Sequence, residues 1–164
     1  ATFGLQALEE LFNGERTSVR FLSVRTTAAT QRINQKLGIP VDGKVISIRR
    51  LLSRDGEPVA YHREYLLFDP LRPLVEAEMG ITSLQGLFDG RGETVLKRGD
   101  LGVQATVLTE EEARLLNAVI GGAAFRIEHT FFDFEEHPVS WGWFIVPGNH
   151  LRFNATVGAQ PATP

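Results

Sequence analysis

Cysteine is absent from the 164 residues, which excludes disulfides and thiolate metal sites and fits a reducing, cytoplasmic setting. No apolar run approaches the roughly 20 residues that a membrane helix needs, and no basic-then-apolar leader precedes the first element. An excess of positive charge is missing too. Seventeen Lys and Arg are scattered among twenty Asp and Glu, for a net charge of −3, so the chain lacks the clustered cations that grip phosphate backbones. Catalytic signatures are equally scarce: there is no Gly-x-Ser-x-Gly, no Walker loop and no Gly-x-Gly-x-x-Gly opening a helix after a strand. The four histidines, His62, His129, His137 and His150, lack the short paired spacing of a metal site.

What is present is a hairpin pattern that occurs twice. Ile48 to Tyr65 reads as strand, tight turn and strand around Asp55-Gly56, with Pro58 opening the second strand. Glu128 to Phe144 repeats the plan, with Pro138-Val139 standing where Pro58-Val59 stood. Upstream of each hairpin lies a strand and then a helix: Ser18–Thr26 and Thr27–Leu37 for the first, 93–108 and 109–116 for the second. The duplicated unit is strand, helix, connection, hairpin, over 18–67 and again over about 101–147. Such an order predicts an α+β fold with a mainly antiparallel sheet and helices packed on it.

Smaller signals fill in the rest. Residues 1–14 carry Phe3, Leu5, Leu8, Leu11 and Phe12 at helical spacing and stop at Asn13-Gly14, so 1–16 reads as the end of an interdomain linker. Asp69-Pro70-Leu71-Arg72-Pro73 breaks the pattern before a short helical turn at 74–78. Thr82 or Ser83 then caps a helix through Leu87. Thr109-Glu110-Glu111-Glu112 is a capping box whose acids suit the helix dipole, a solvated cap rather than an acidic site. Leu151–Val157 is read as a last strand, and 158–164 as a flexible tail. Trp141 and Trp143 share one strand face, which fits core packing or an oligomer interface better than ligand stacking.

Alternation along 58–67 puts Ala60, His62 and Glu64 on one face and Tyr61, Arg63 and Tyr65 on the other. Arg50, on the partner strand, His62, Ser83 at a helix start and Gln85 either converge on a small polar ligand or belong to a solvated sheet face with ordinary charge pairs.

Arg49-Arg50-Leu51, Asp55-Gly56-Glu57-Pro58-Val59-Ala60 and Arg63-Glu64-Tyr65-Leu66 resemble the central signature of the UTRA domain. This is the effector-binding domain of HutC-type transcription regulators in the GntR family, with a chorismate lyase-like fold. Thr82-Ser83-Leu84, the run Gln104 to Leu116, and His137-Pro138-Val139-Ser140 through Arg152-Phe153 continue the resemblance in order, over about 17–157. The resemblance implies a cytoplasmic, homodimeric regulator that senses a small, anionic metabolite and binds DNA only through a separate N-terminal winged helix-turn-helix domain. No enzymatic activity, cofactor, metal or membrane partner is implied; a chorismate lyase-like enzyme is the alternative from another class. The effector-binding set carried over is Arg50, His62, Glu64, Ser83, Gln85 and Ser140. Relatives that sense sugar phosphates match at Arg50 and Ser83. They usually carry Arg at Leu52, Glu at His62, Tyr at Gln85, and Glu and Tyr at Ser140 and Val146. Those departures point to a smaller carboxylate or a partly apolar anion.

Overall fold

The computed structural model describes residues 16–68, 96–154 and 157–158. In chain order the elements are β1 (Thr17–Ala28), α1 (Gln31–Leu37), β2 (Lys44–Arg54), β3 (Glu57–Leu67), β4 (Leu96–Val107), α2 (Glu110–Leu115), β5 (Ala123–Asp133) and β6 (Pro138–Pro147). The strands form one antiparallel sheet in the order β1-β2-β3-β6-β5-β4. Each β-α-β-β unit therefore builds half a sheet, and the halves meet where β3 pairs β6. The α+β reading and the internal duplication hold. Both hairpins also carry a register shift beside the proline-bearing start of their second strand, between Leu52 and Ser53 and between Phe131 and Phe132.

Two local expectations need correction. The first helix does not begin at Thr27. Thr27 and Ala28 still pair with Val45 and Lys44, and the helix opens only after Thr30, whose hydroxyl accepts from Ile33 N–H. Gly38 ends it in the left-handed region at φ 67°. Leu151–Asn154 is not a strand; Leu151 packs on the core and Phe153 meets Phe125 edge-on. The segments 1–15, 69–95, 155–156 and 159–164 lie outside the described residues, and with them the expected helices at 74–78 and 82–87.

Period-two alternation sorts the sheet into two faces. On one face both helices dock. Ile33 and Leu37 of α1 pack with Val45, Tyr65 and Trp141. Ala113 of α2 and Leu116 pack with Leu51, Tyr61 and Ile145. Trp141 is thus core, 2 % exposed, with its indole N–H donating to Glu128, and it is not surface free for a partner. The opposite face carries Leu52, Ala60, Ile127, Phe131, Phe144 and Val146, all buried. In the middle of that second, largely apolar face sits a polar cluster.

Candidate functional site

Register places the cluster. Across the sheet Arg50 on β2 lies opposite His62 on β3, and His62 lies opposite Phe144 on β6. One rung on, Glu64 faces Gly142, and Gly142 faces His129 on β5. One rung beyond that is Ser140. Arg50, His62, Glu64 and Ser140 from the expected set are therefore neighbours on one face. Ser83 and Gln85 lie outside the described residues.

The contacts are specific. Arg50 Nη1 donates to Glu64 Oε2 at 2.5 Å and to His62 Nδ1 at 3.0 Å. Ser140 Oγ donates to the other carboxylate oxygen, Glu64 Oε1, at 2.6 Å. His62 Nε2 meets His129 Nε2 at 2.9 Å. The His62 ring stacks on Phe144 with centroids 3.9 Å apart, and His129 stacks on Phe131 at 4.6 Å. Phe21 of β1 lies under the Arg50 guanidinium, 5.3 Å away. Arg50 points inward, its side chain only 12 % exposed. Arg50, His62, Glu64 and Ser140 therefore do not lie on a solvated face, although Arg50 and Glu64 do form a charge pair.

His129 was not among the expected residues, because the histidine spacing along the chain gives no sign that it meets His62. Gly142 is what allows the meeting. His129 reaches His62 across β6, and a Cβ at 142 would stand 3.0 Å from His129 Nε2 and 2.2 Å from the carbonyl oxygen of Arg63. A glycine inside a Trp- and Phe-rich strand was the available sequence signal for that close approach.

Burial sets the charge states. It pushes His62 well below its ordinary range, with Arg50 adding to the effect against the opposing pull of Glu64. Burial likewise lowers His129, to about 4. For Glu64 burial is the largest single influence and acts in the opposite sense, raising its pKa, but Arg50, the two histidines and the Ser140 hydrogen bond together outweigh it and hold the carboxyl at about 2. At neutral pH the cluster is one cation, one anion and two neutral imidazoles. Both Glu64 oxygens, His62 Nδ1 and one of the facing Nε2 atoms each accept a hydrogen bond within the cluster. Arg50 Nε and His129 Nδ1 are buried without a partner among the described residues.

Two other features border or lie beyond this cluster. A groove of about 540 Å³ is lined by Lys36, Gln104, Arg126, Glu128 and, from the cluster, His129, but not by Arg50, His62, Glu64 or Ser140. Ligand atoms of Asp133, Glu135 and His137 come within 4.8 Å of one another at the exposed β5–β6 turn. There Asp133 Oδ1 already accepts from the Glu135 and His137 amides, which is turn chemistry. Among the described residues no helix is long and apolar enough to cross a membrane.

This architecture has known counterparts. The effector domain of PhnF from Mycobacterium smegmatis is similar at TM-score 0.69 and 18% identity, over 87% of this chain and 88% of that one. A GntR-family transcriptional regulator from Enterococcus faecalis V583 is similar at TM-score 0.74 and 14% identity, over 85% of this chain and 100% of that one. In sequence, the uncharacterized HTH-type transcriptional regulator YurK of Bacillus subtilis (strain 168) is 23% identical over 141 residues, 85% of this chain. The aligned stretch is 58% of that relative's length, so this chain corresponds to little more than half of it. The UTRA domain profile matches residues 13–152, taking in both halves of the sheet and the whole polar cluster, and the chain belongs to the UTRA domain family.

Proposed function

We propose that this chain is the effector-sensing domain of a GntR-family transcription regulator of the HutC type, with a chorismate lyase-like fold. Its effector is a small anion held against the sheet face that bears Arg50, with Ser83 and Gln85 completing the site. The observation that carries this reading is the inward-facing, largely covered Arg50 on an apolar face, whose buried Nε–H is unpartnered among the described residues. A buried donor of this kind costs about 1–3 kcal/mol when it stays unsatisfied, so an acceptor that reaches it is strongly favoured. Occupancy acts on DNA indirectly. The anion binds one arrangement of a cytoplasmic homodimer better than another, and so shifts the placement of N-terminal DNA-reading domains. A net charge of −3 fits a domain that leaves DNA contact to another part of the regulator.

The family match favours a binding module over the chorismate lyase-like enzyme. Release of 4-hydroxybenzoate on incubation with chorismate would reverse that choice. The test of the binding reading is a thermal-shift panel of small aliphatic and aromatic carboxylates beside sugar phosphates. Carboxylates are expected to raise the melting temperature; a panel in which only sugar phosphates did so would overturn the assignment of a smaller anion. Arg50→Ala should abolish the shift. Because that change strands Glu64 as a buried charge, the neutral double variant Arg50→Met/Glu64→Gln serves as its partner. Unchanged affinity in the double variant removes Arg50 from the site.

A further inference from the structure

Arg50, His62 and His129 form a chain of hydrogen bonds whose direction is fixed by its first member. An arginine only donates. With Arg50 Nη1 at 3.0 Å, His62 Nδ1 must present a lone pair, so this imidazole is neutral and carries its proton on Nε2. That proton points at His129 Nε2, 2.9 Å away, which must then be an acceptor. His129 is therefore also neutral, with its proton on Nδ1. His129 Nδ1 is the atom that lies buried without a partner, in a residue 1 % exposed. The relay runs from a guanidinium on β2, through β3 and across β6, and ends on β5 in an N–H that no acceptor among the described residues receives.

Donor and acceptor bookkeeping then names the missing group. Glu64 accepts from Arg50 and Ser140, and both imidazole acceptors are taken. The cluster's two unpartnered buried atoms, Arg50 Nε and His129 Nδ1, are both donors. Hydrogen bonds in series polarise one another, and a cation at the head of the series strengthens the donor at its end. We propose that His129 is an effector-contacting residue whose Nδ1–H donates to a carboxylate or phosphoryl oxygen of the ligand, with its tautomer set by Arg50 through His62. This rests on the effector-sensing reading above and adds to it a contact on the second half of the sheet.

The test is imidazole and guanidinium nitrogen NMR on the ¹⁵N-labelled 164-residue chain. Without ligand at neutral pH, the expected tautomers are Nε2–H for His62 and Nδ1–H for His129; an Nε2–H tautomer at His129 overturns the relay. Acetate, benzoate and inorganic phosphate, each titrated to tens of millimolar, serve as probes. A downfield shift of the His129 Nδ1 proton with acetate or benzoate assigns a carboxylate, and the same shift with phosphate alone assigns a phosphoryl group. A shift at Arg50 Nε without one at His129 overturns this contact and leaves the effector reading standing. Silence at both nuclei overturns both. Two variants separate the ends of the ring. Asn at 129 places an amide N–H near the Nδ1 position, whereas Gln keeps an acceptor toward His62 and lacks the Nδ1 donor. His129→Gln should weaken the responding probe by roughly tenfold or more, the worth of a hydrogen bond to a charged group, with His129→Asn weakening it less. Equal binding by wild type and both variants overturns the contact.

Discussion

Two neutral imidazoles facing each other inside a protein are stable only while neither has to accept a proton. His129 is lowered from the ordinary 6.5 to about 4, and His62 is lowered in the same direction. Below pH 6.5 the unfolded chain therefore binds protons that the folded chain refuses, and stability falls as pH falls. His129 alone contributes a loss on the order of 3 kcal/mol between pH 6.5 and 4. Glu64, held at about 2, adds a second loss as pH drops below its ordinary value near 4.5. Urea melts at pH 7.5, 5.5 and 4.5 check this, and His129→Gln should flatten the upper part of the profile. Stability that stayed level from pH 7 to 4.5 would mean that the imidazoles take up protons inside the fold. At Gly142 the constraint is steric instead. A methyl there meets the Arg63 carbonyl oxygen at 2.2 Å and the Glu64 Cα at 2.8 Å. Gly142→Ala is expected to cost about 3 kcal/mol, the upper end for overpacking, because backbone cannot yield as a side chain can. A loss under about 1 kcal/mol in denaturant would show that β3 and β6 can part without penalty.

At the scale of elements, α2 is six residues long and owes its definition to its cap. Thr109 Oγ1 accepts from Glu112 N–H, and Glu112 Oε2 accepts from Thr109 N–H, so two free donors are satisfied by one reciprocal pair. Thr109→Ala should cost about 1 kcal/mol and raise amide exchange at Glu112 to Leu116; unchanged exchange there would mean that the packing of Ala113 and Leu116 alone holds the helix. This cap was legible in the sequence because its geometry is local. So were the hairpins, where Asp55 and Gly56 occupy the turn with φ of 52° and 80°, and the face assignment of His62 and Glu64, which follows from counting by twos. The start of α1 was misread because Thr27 and Ala28 continue β1 on the strength of partners in β2, which no local pattern reports. His129 was missed for a larger reason of the same kind. It meets His62 from 67 residues away, and only the pairing of β3 with β6 brings them together.

That pairing is also the midline of the whole sheet. Each half-sheet is held by long hairpin registers, and within the sheet the halves join through one seam, Tyr61–Leu66 against Ser140–Ile145. The helices cross it, α1 packing on Trp141 and α2 beside Leu51 and Tyr61. The polar cluster straddles it, with Arg50, His62 and Glu64 on one side and Ser140, His129 and Phe144 on the other. Both of the cluster's cross-seam hydrogen bonds, Ser140 to Glu64 and His129 to His62, are buried. The seam is central and covered, while β1 and β4 lie at the ends of the strand order. Amides of residues 60–64 and 141–145 should thus exchange slowest, and those of β1 and β4 much faster. A ligand oxygen received at His129 bears on the first half as well, through the His129–His62 and His62–Arg50 hydrogen bonds. Hydrogen–deuterium exchange with benzoate or phosphate should then slow the seam further and leave the edge strands unchanged. Slowing spread evenly over β1 and β4 would show that the ligand tightens the sheet as one body, so that the junction of the duplicated units is not where occupancy is registered.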